Sequence, residues 1–227
     1  MTRRNKTLSV YPRGEETRAR ILATAIQLFG LKGFDAVTTR MIAAEASVPA
    51  PSLRYYFANK EGLYAACWNT IREQLLEAME PSLAAAEQLL AQENAERTQL
   101  IEAFCALQAA QLEHTIARPN AEAMAQFIAR HDLDSSSGTR RLTMGDGATA
   151  YRMVTCYTRV VMRISGDTLD WQSALVVAGL LNGQLASIAA KRTGLAEIGI
   201  EFSGDRLAWL KRTIRQQTIA ALLLHCA

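Results

Sequence analysis

Redox, metal or nucleophilic chemistry would have to be built from four cysteines and three histidines, and their spacing builds none of it. Cys67, Cys105, Cys156 and Cys226 are far apart and form no Cys-x-x-Cys pair. Neither a zinc site nor a disulfide framework is expected, and reduced, buried thiols are the plain reading. His114, His131 and His225 show no spacing that would put two ligands on one helical face. No nucleophile elbow or phosphate-binding glycine loop is present, and Gly145-Asp146-Gly147 reads as a loop. Hence no metal, cofactor or catalytic residue is expected, and the chain is not expected to be an enzyme. What the sequence does concentrate is positive charge. Residues 1–60 hold ten Lys/Arg against four acids, net +6, while the rest holds 15 against 18, net −3. That asymmetry suggests a polyanion-binding N-terminal module on a body with no attraction for nucleic acid.

The elements that must position these charges read as helices. A chain of 227 residues, 49% hydrophobic, can bury a sizeable core as one large or two small domains. Glycine (13) and proline (5) are sparse, and Ala, Leu, Gln, Glu and Arg recur, which favours an all-α fold. Ile21, Leu22, Ala25, Leu28 and Phe29 fall at spacings of three and four from Glu15 onward, closed by Gly30 and Gly33, and predict a first helix of about four turns. Thr38 fits an N-cap for a short second helix with Met41, Ile42 and Ala46 inward. Ser47 and Val48 break the chain before a third short helix that turns Leu53, Tyr56 and Phe57 inward. Asn59 caps a fourth, running from Lys60 through Trp68, Ile71 and Leu75 to about Met79, with Pro81 at its end or at the start of the next. Further helices are expected at 82–92, 95–117, 120–131, 138–164 (with a break at 145–147 as the variant reading), 168–192 and 204–224, with loops at 132–138 and 193–204. The N-terminus shows no signal-like apolar run, and the stretch 174–190 is interrupted by Asn182 and Gln184. No membrane span and a cytoplasmic location are the expectation.

Two short helices separated by a tight break and buried by a longer preceding helix are what a helix-turn-helix requires. The second must keep its apolar residues to one side while its other side enters a major groove about 12 Å wide. Residues 38–57 meet these demands. Thr17-Arg18, Ile21-Leu22, Ala25, Leu28-Phe29, Gly33-Phe34, Thr38, Ile42-Ala43, Ala46-Ser47-Val48, Leu53-Arg54-Tyr55-Tyr56-Phe57, Asn59-Lys60-Glu61 and Leu63 together resemble the N-terminal domain of the TetR family of transcriptional regulators, without a gap over residues 15–65. The resemblance implies a homodimer that binds a palindromic operator in double-stranded DNA, usually as a repressor, and lets go when a small-molecule effector enters the C-terminal domain. It implies that Thr38, Thr39, Arg40, Tyr55, Tyr56 and Lys60 hold phosphates and that Ala50, Ser52 and Arg54 face base edges. The chain then divides into a flexible basic arm (1–14), a helix-turn-helix domain (15–60) and a helical effector-binding and dimerisation domain (61–227). Arg3, Arg4 and Lys6 of the arm either reach a minor groove or trail in solvent. Four positions depart from the family pattern. Ser47 stands where Gly is usual, Pro49 stands where Ser or Thr is common, and Arg54 and Tyr56 replace Tyr and His. Competing readings are a solvated helix end for Lys60, core packing for Tyr56 and a phosphate contact for Arg54.

Beyond residue 80 the resemblance is one of length and helical content. In the helix at 168–192, Ala174, Ala178, Gly179, Gly183, Ala186 and Ala190 keep one side small, and Leu175, Val176, Leu180, Leu181, Leu185 and Ile188 occupy most of the rest. With the last helix it is similar to the pair that forms a four-helix dimer interface in the family. Candidate interface residues are Ala178, Leu181, Gly183, Leu185, Leu207, Leu210 and Ile214, with burial inside the chain as the alternative. Polar residues inside apolar helices are candidates to line an effector cavity: Gln108, Gln111 and His114 on one, Tyr151, Cys156 and Arg159 on another. Two other classes remain open at this level, a DNA-binding protein without an effector and a helical enzyme with an incidental basic N-terminus. Little sequence preference with a steep salt dependence would favour the former.

Overall fold

A computed structural model describes residues 12–117, 121–135 and 148–225. Most of the basic arm, Gly145-Asp146-Gly147 and Cys226 lie outside the described residues. Ten α-helices follow in order: α1 Pro12–Lys32, α2 Thr39–Glu45, α3 Ala50–Tyr56, α4 Lys60–Leu90, α5 Arg97–Leu112, α6 Ala121–Ser135, α7 Ala148–Ile164, α8 Trp171–Ala190, α9 Arg192–Glu197 and α10 Gly204–His225. The described residues contain no strand. Pro12 opens α1, the position where proline's fixed φ and missing N–H cost nothing, so residues 12–14 are helical rather than part of the arm. Thr38 Oγ1 accepts from Met41 N at 3.2 Å and Asn59 Oδ1 accepts from Gly62 N at 2.7 Å, so both anticipated N-caps are in place.

Several boundaries differ from the sequence expectation, and α6 runs on to Ser135, into the segment 132–138 expected to be a loop. Helix α4 continues through Pro81 for 31 residues. The proline is exposed, while Met79 and Leu83 on either side are fully buried, so packing of both flanking turns outweighs one lost backbone hydrogen bond. The helix at 95–117 ends as α5 and continues as a π-helical turn over Glu113–Ala117. The expected loop at 193–204 contains the short helix α9, whose Arg192 donates to the Ile116 carbonyl of that π turn at 2.6 Å.

Three apolar clusters organise the chain. One joins α1, α2, α3 and the first half of α4, through Ile21, Phe29, Ile42, Leu53, Leu63, Cys67 and Ile71, and takes in Phe127 from α6. A second joins the rest of α4 with α5, α7 and the outer half of α8. A third gathers Leu112, Ile116, Ala125, Leu185, Leu210 and Ile214 where α5, α6, α8 and α10 meet. Two features clamp the first cluster to the body. A Cβ on Gly30 would lie 2.1 Å from the Ala123 carbonyl oxygen, so α1 and α6 approach as closely as backbones can. Arg130 of α6 donates to the carbonyls of Gly30 (3.0 Å) and Leu31 (3.4 Å), filling acceptors that the end of α1 leaves open.

Candidate nucleic-acid interface and the cavity behind it

The turn between α2 and α3 is set by Ser47, whose φ of 53° is left-handed and costs a non-glycine residue about 1–2 kcal/mol. It is held by the Val48 N–H, which donates to the Ala43 carbonyl at 2.9 Å. Pro49 is the N-cap of α3 and Pro51 lies in its first turn, where no intrahelical acceptor is lost. Leu53 and Phe57 then point into the first cluster and leave Ala50, Pro51, Arg54 and Tyr55 exposed on the other side of α3. Tyr55 is 85% exposed. Ser52 is half-buried. Tyr56 is half-buried and packs on Tyr55 and Phe57, so core packing and a free hydroxyl coexist in one side chain. On α2, Arg40 is exposed and Thr39 half-buried, while the Thr38 hydroxyl oxygen serves as the cap. Lys60, at the start of α4, lays its Nζ 4.2 Å from the centre of the Phe34 ring. Arg18 on α1 stands over Phe57 at 5.5 Å, an exposed cation beside the end of α3 that the sequence pattern does not single out.

Behind this surface runs an unbroken set of ring contacts. Phe34 meets Tyr64 edge-on at 5.1 Å, Tyr64 stacks on Phe127 at 4.6 Å, and the Tyr64 hydroxyl lies 3.3 Å from His131 Nδ1. His131 in turn stacks on Trp68 at 4.0 Å. Trp68 forms part of the wall of a cavity of about 200 Å³ between α4, α5, α6, α7 and α8, with Ile71, Arg72, Leu75, Gln111, Thr115, Ala125, Ile128, Ala129, Met153, Leu185, Ala186 and Ala189.

Of the six residues expected around an effector, only Gln111 lines this cavity, where its Oε1 accepts from the Tyr157 hydroxyl at 3.1 Å. Gln108 is buried and fully used: its Nε2 donates to the Leu181 carbonyl at 3.0 Å and its Oε1 accepts from Thr218 at 2.7 Å, tying α5 to α8 and α10. Cys156 is packed in the second cluster, and burial pushes its thiol up to about 11. Tyr151 is 66% exposed and Arg159 is exposed, so neither forms a cavity wall. His114 is buried on the far side of α4, beside a groove between α1, α4 and α6. The wall residues that the sequence pattern misses are mostly Ala, Leu, Ile and Met, indistinguishable by type from core.

The proposed interface set needs a similar correction. Ala178, Leu181, Leu185, Leu210 and Ile214 are buried within the chain, and Leu207 is half-buried against the third cluster. Gly183 alone of that set is exposed. The outward face of α8 carries Val176 (61% exposed), Leu180 (71%) and Gly183, and that of α10 carries Trp209 and Leu224. By length and hydropathy α8 also reaches the range of a membrane span, although one side of it is packed on the body.

Residues 21–67 match the family model described as bacterial regulatory proteins, tetR family. A curated relative from Shigella flexneri, the HTH-type transcriptional dual regulator CecR, is 38% identical over 90 residues, which are 40% of this chain and 40% of that protein. The match therefore spans well under half of that relative's length. Among solved structures, the fatty acid degradation regulator FadR from Bacillus halodurans has a TM-score of 0.60 at 16% identity, covering 89% of this chain and 94% of that one. A transcriptional regulator from Rhodococcus sp. Rha1 gives 0.59 at 14% identity, covering 91% and 96%. At those identities the likeness is one of fold, and it extends over nearly the whole length of each chain.

Proposed function

We propose, from the match of residues 21–67 to the tetR family model, that the chain is a ligand-responsive transcriptional regulator of that family which binds a palindromic operator as a homodimer. The observation that carries this reading is the exposed face of α3, where Ala50, Arg54 and Tyr55 stand free of the packing that holds Leu53 and Phe57. Arg54 reads a base edge, because a guanidinium can pair with guanine O6 and N7 together. Thr38, Thr39, Arg40, Tyr55, Tyr56 and Lys60 hold phosphates, with Arg18 as an added basic contact. Lys60 is aided by the positive end of α4. Dimerisation uses the outward faces of α8 and α10, which join two copies so that their α3 helices reach successive major grooves about 34 Å apart.

The output is repression, relieved by a small molecule in the cavity. Helices α4 and α6 supply cavity walls through Trp68, Ile71, Ala125, Ile128 and Ala129, and the same two helices carry Tyr64, Phe127 and Arg130, which grip the DNA-binding domain. A molecule that fits only one setting of these two helices shifts the spacing of the α3 helices by its differential affinity. Selection of bound duplexes from a random DNA pool tests the core of this reading. A recovered palindrome with half-sites one turn apart supports it, and binding without sequence preference would leave a DNA-packaging role instead.

A further inference from the structure

The geometry of the cavity points to the chemical class of its occupant: we propose a single-ring or compact branched apolar molecule bearing one carbonyl-type acceptor, a carboxylic acid or amide, with amines rejected. This deepens the regulator reading and rests on it.

Size comes first. A cavity of about 150 Å³ with aliphatic walls holds one benzene ring, and sites for drug-sized ligands begin near about 300 Å³. At about 200 Å³ the space takes one ring and a short polar tail, and excludes fused ring systems. Ile71, Leu75, Ile128 and Met153 provide apolar walls, matching such a ring.

Polarity sets the tail. Gln111 has its oxygen occupied by the Tyr157 hydroxyl, and burial holds that phenol protonated, so the carboxamide is fixed with its N–H₂ as the group left to offer. The Thr115 hydroxyl gives its proton to the backbone carbonyl of Gln111 at 2.8 Å. Arg72, on the same wall, has five N–H donors and no acceptor, whatever else it holds. Among the described lining residues there is no Asp or Glu. An acceptor on the ligand therefore meets the Gln111 N–H₂, while an ammonium would give up its hydration without an anionic partner.

Calorimetric titration of the full chain with phenylacetate, phenylacetamide and 2-phenylethylamine, three molecules of one shape, decides the matter. Both carbonyl compounds are expected to bind and the amine to bind at least tenfold more weakly. Gln111→Glu keeps the acceptor for Tyr157 but removes the donor, so the gap should close or invert. An unchanged melting temperature and unchanged affinity for the selected duplex show that this variant is folded, and if it is not, the wild-type series alone decides. Amine binding as tight as amide binding, no binding by any of the three, or a preference that survives Gln111→Glu in the folded variant would overturn the proposal. The parent reading fails differently. A wild-type chain that selects no sequence from the random pool sinks the regulator while leaving these titrations readable, and duplex release by an amine alone sinks the ligand class and spares the regulator.

Discussion

At Lys60 the ammonium rests on the face of Phe34, a contact worth about 0.5–1 kcal/mol, which fixes the side chain at the start of α4, where the phosphate contact is proposed. Lys60→Ala should therefore weaken binding to every duplex alike and make the slope of log affinity against log salt shallower by about one. Arg54→Ala should instead cost about 1–3 kcal/mol on the selected operator and relax one base position in each half-site. Equal losses on operator and scrambled DNA would assign Arg54 to a phosphate. A second prediction concerns pH. Arg152 donates to both Glu87 oxygens at 2.8 Å and bridges to Glu80, joining α7 to α4, and these bonds hold the Glu87 carboxyl below its ordinary value. A carboxyl depressed in the fold contributes stability that is present above its unfolded value, near pH 4.5, and lost as pH falls through the folded one. The groups are partly exposed, so the contribution is about 1 kcal/mol or less. Urea unfolding at pH 7 and pH 3 should show Arg152→Ala less stable than wild type at the first, with the difference smaller at the second. Single polar residues were the least legible feature of the sequence. Gln108 and Gln111 sit three apart on one helix, yet one is an internal brace and the other a cavity wall, because only the neighbouring helices determine which amide finds protein partners.

Local chemistry made the elements near the DNA surface legible. Thr38 and Asn59 cap the helices they were expected to cap, and Ser47 takes the left-handed turn that the family pattern reserves for glycine. These are decisions among residues three or four apart. Where tertiary packing decides, pattern misleads. Pro81 is a stop signal in isolation, but Met79 and Leu83 are held so fully that α4 runs on. The close approach of α1 to α6 was invisible for the same reason, since Gly30 reads as a helix terminator and is in fact a contact with Ala123, far along the chain. Gly30→Ala should force the two helices apart, lowering stability by about 1–3 kcal/mol and weakening operator binding although residue 30 touches no DNA. Differential scanning calorimetry and duplex titration on the same variant check this, and wild-type values in both would show that the helices can part without consequence.

Between whole molecules, the question is which side of α8 meets a second copy. A helix apolar nearly all round does not declare its phase, and the sequence placed Leu181 and Leu185 at the interface when they belong to the interior. Leu180 and Leu181 are adjacent in the chain and 71% and 8% exposed, so they give opposite tests. Leu180→Arg should yield folded monomers in sedimentation at micromolar concentration, whereas Leu181→Ala should lower stability by about 2–5 kcal/mol and leave association intact in the folded fraction. A dimer unaffected by Leu180→Arg would move the interface elsewhere. The placement of Phe127 has a consequence for anyone who would recombine regulators. The ring is 1% exposed and sits among Phe29 and Tyr64, so the helix-turn-helix part completes its core with a residue from α6, far along the chain. A hybrid cut after the helix-turn-helix would carry that part away with a hole of one phenyl ring and the carbonyls of Gly30 and Leu31 stripped of Arg130. New specificity is therefore better introduced by rewriting the outward residues of α3 in place than by exchanging domains, and a transplant that works must bring α6 with it.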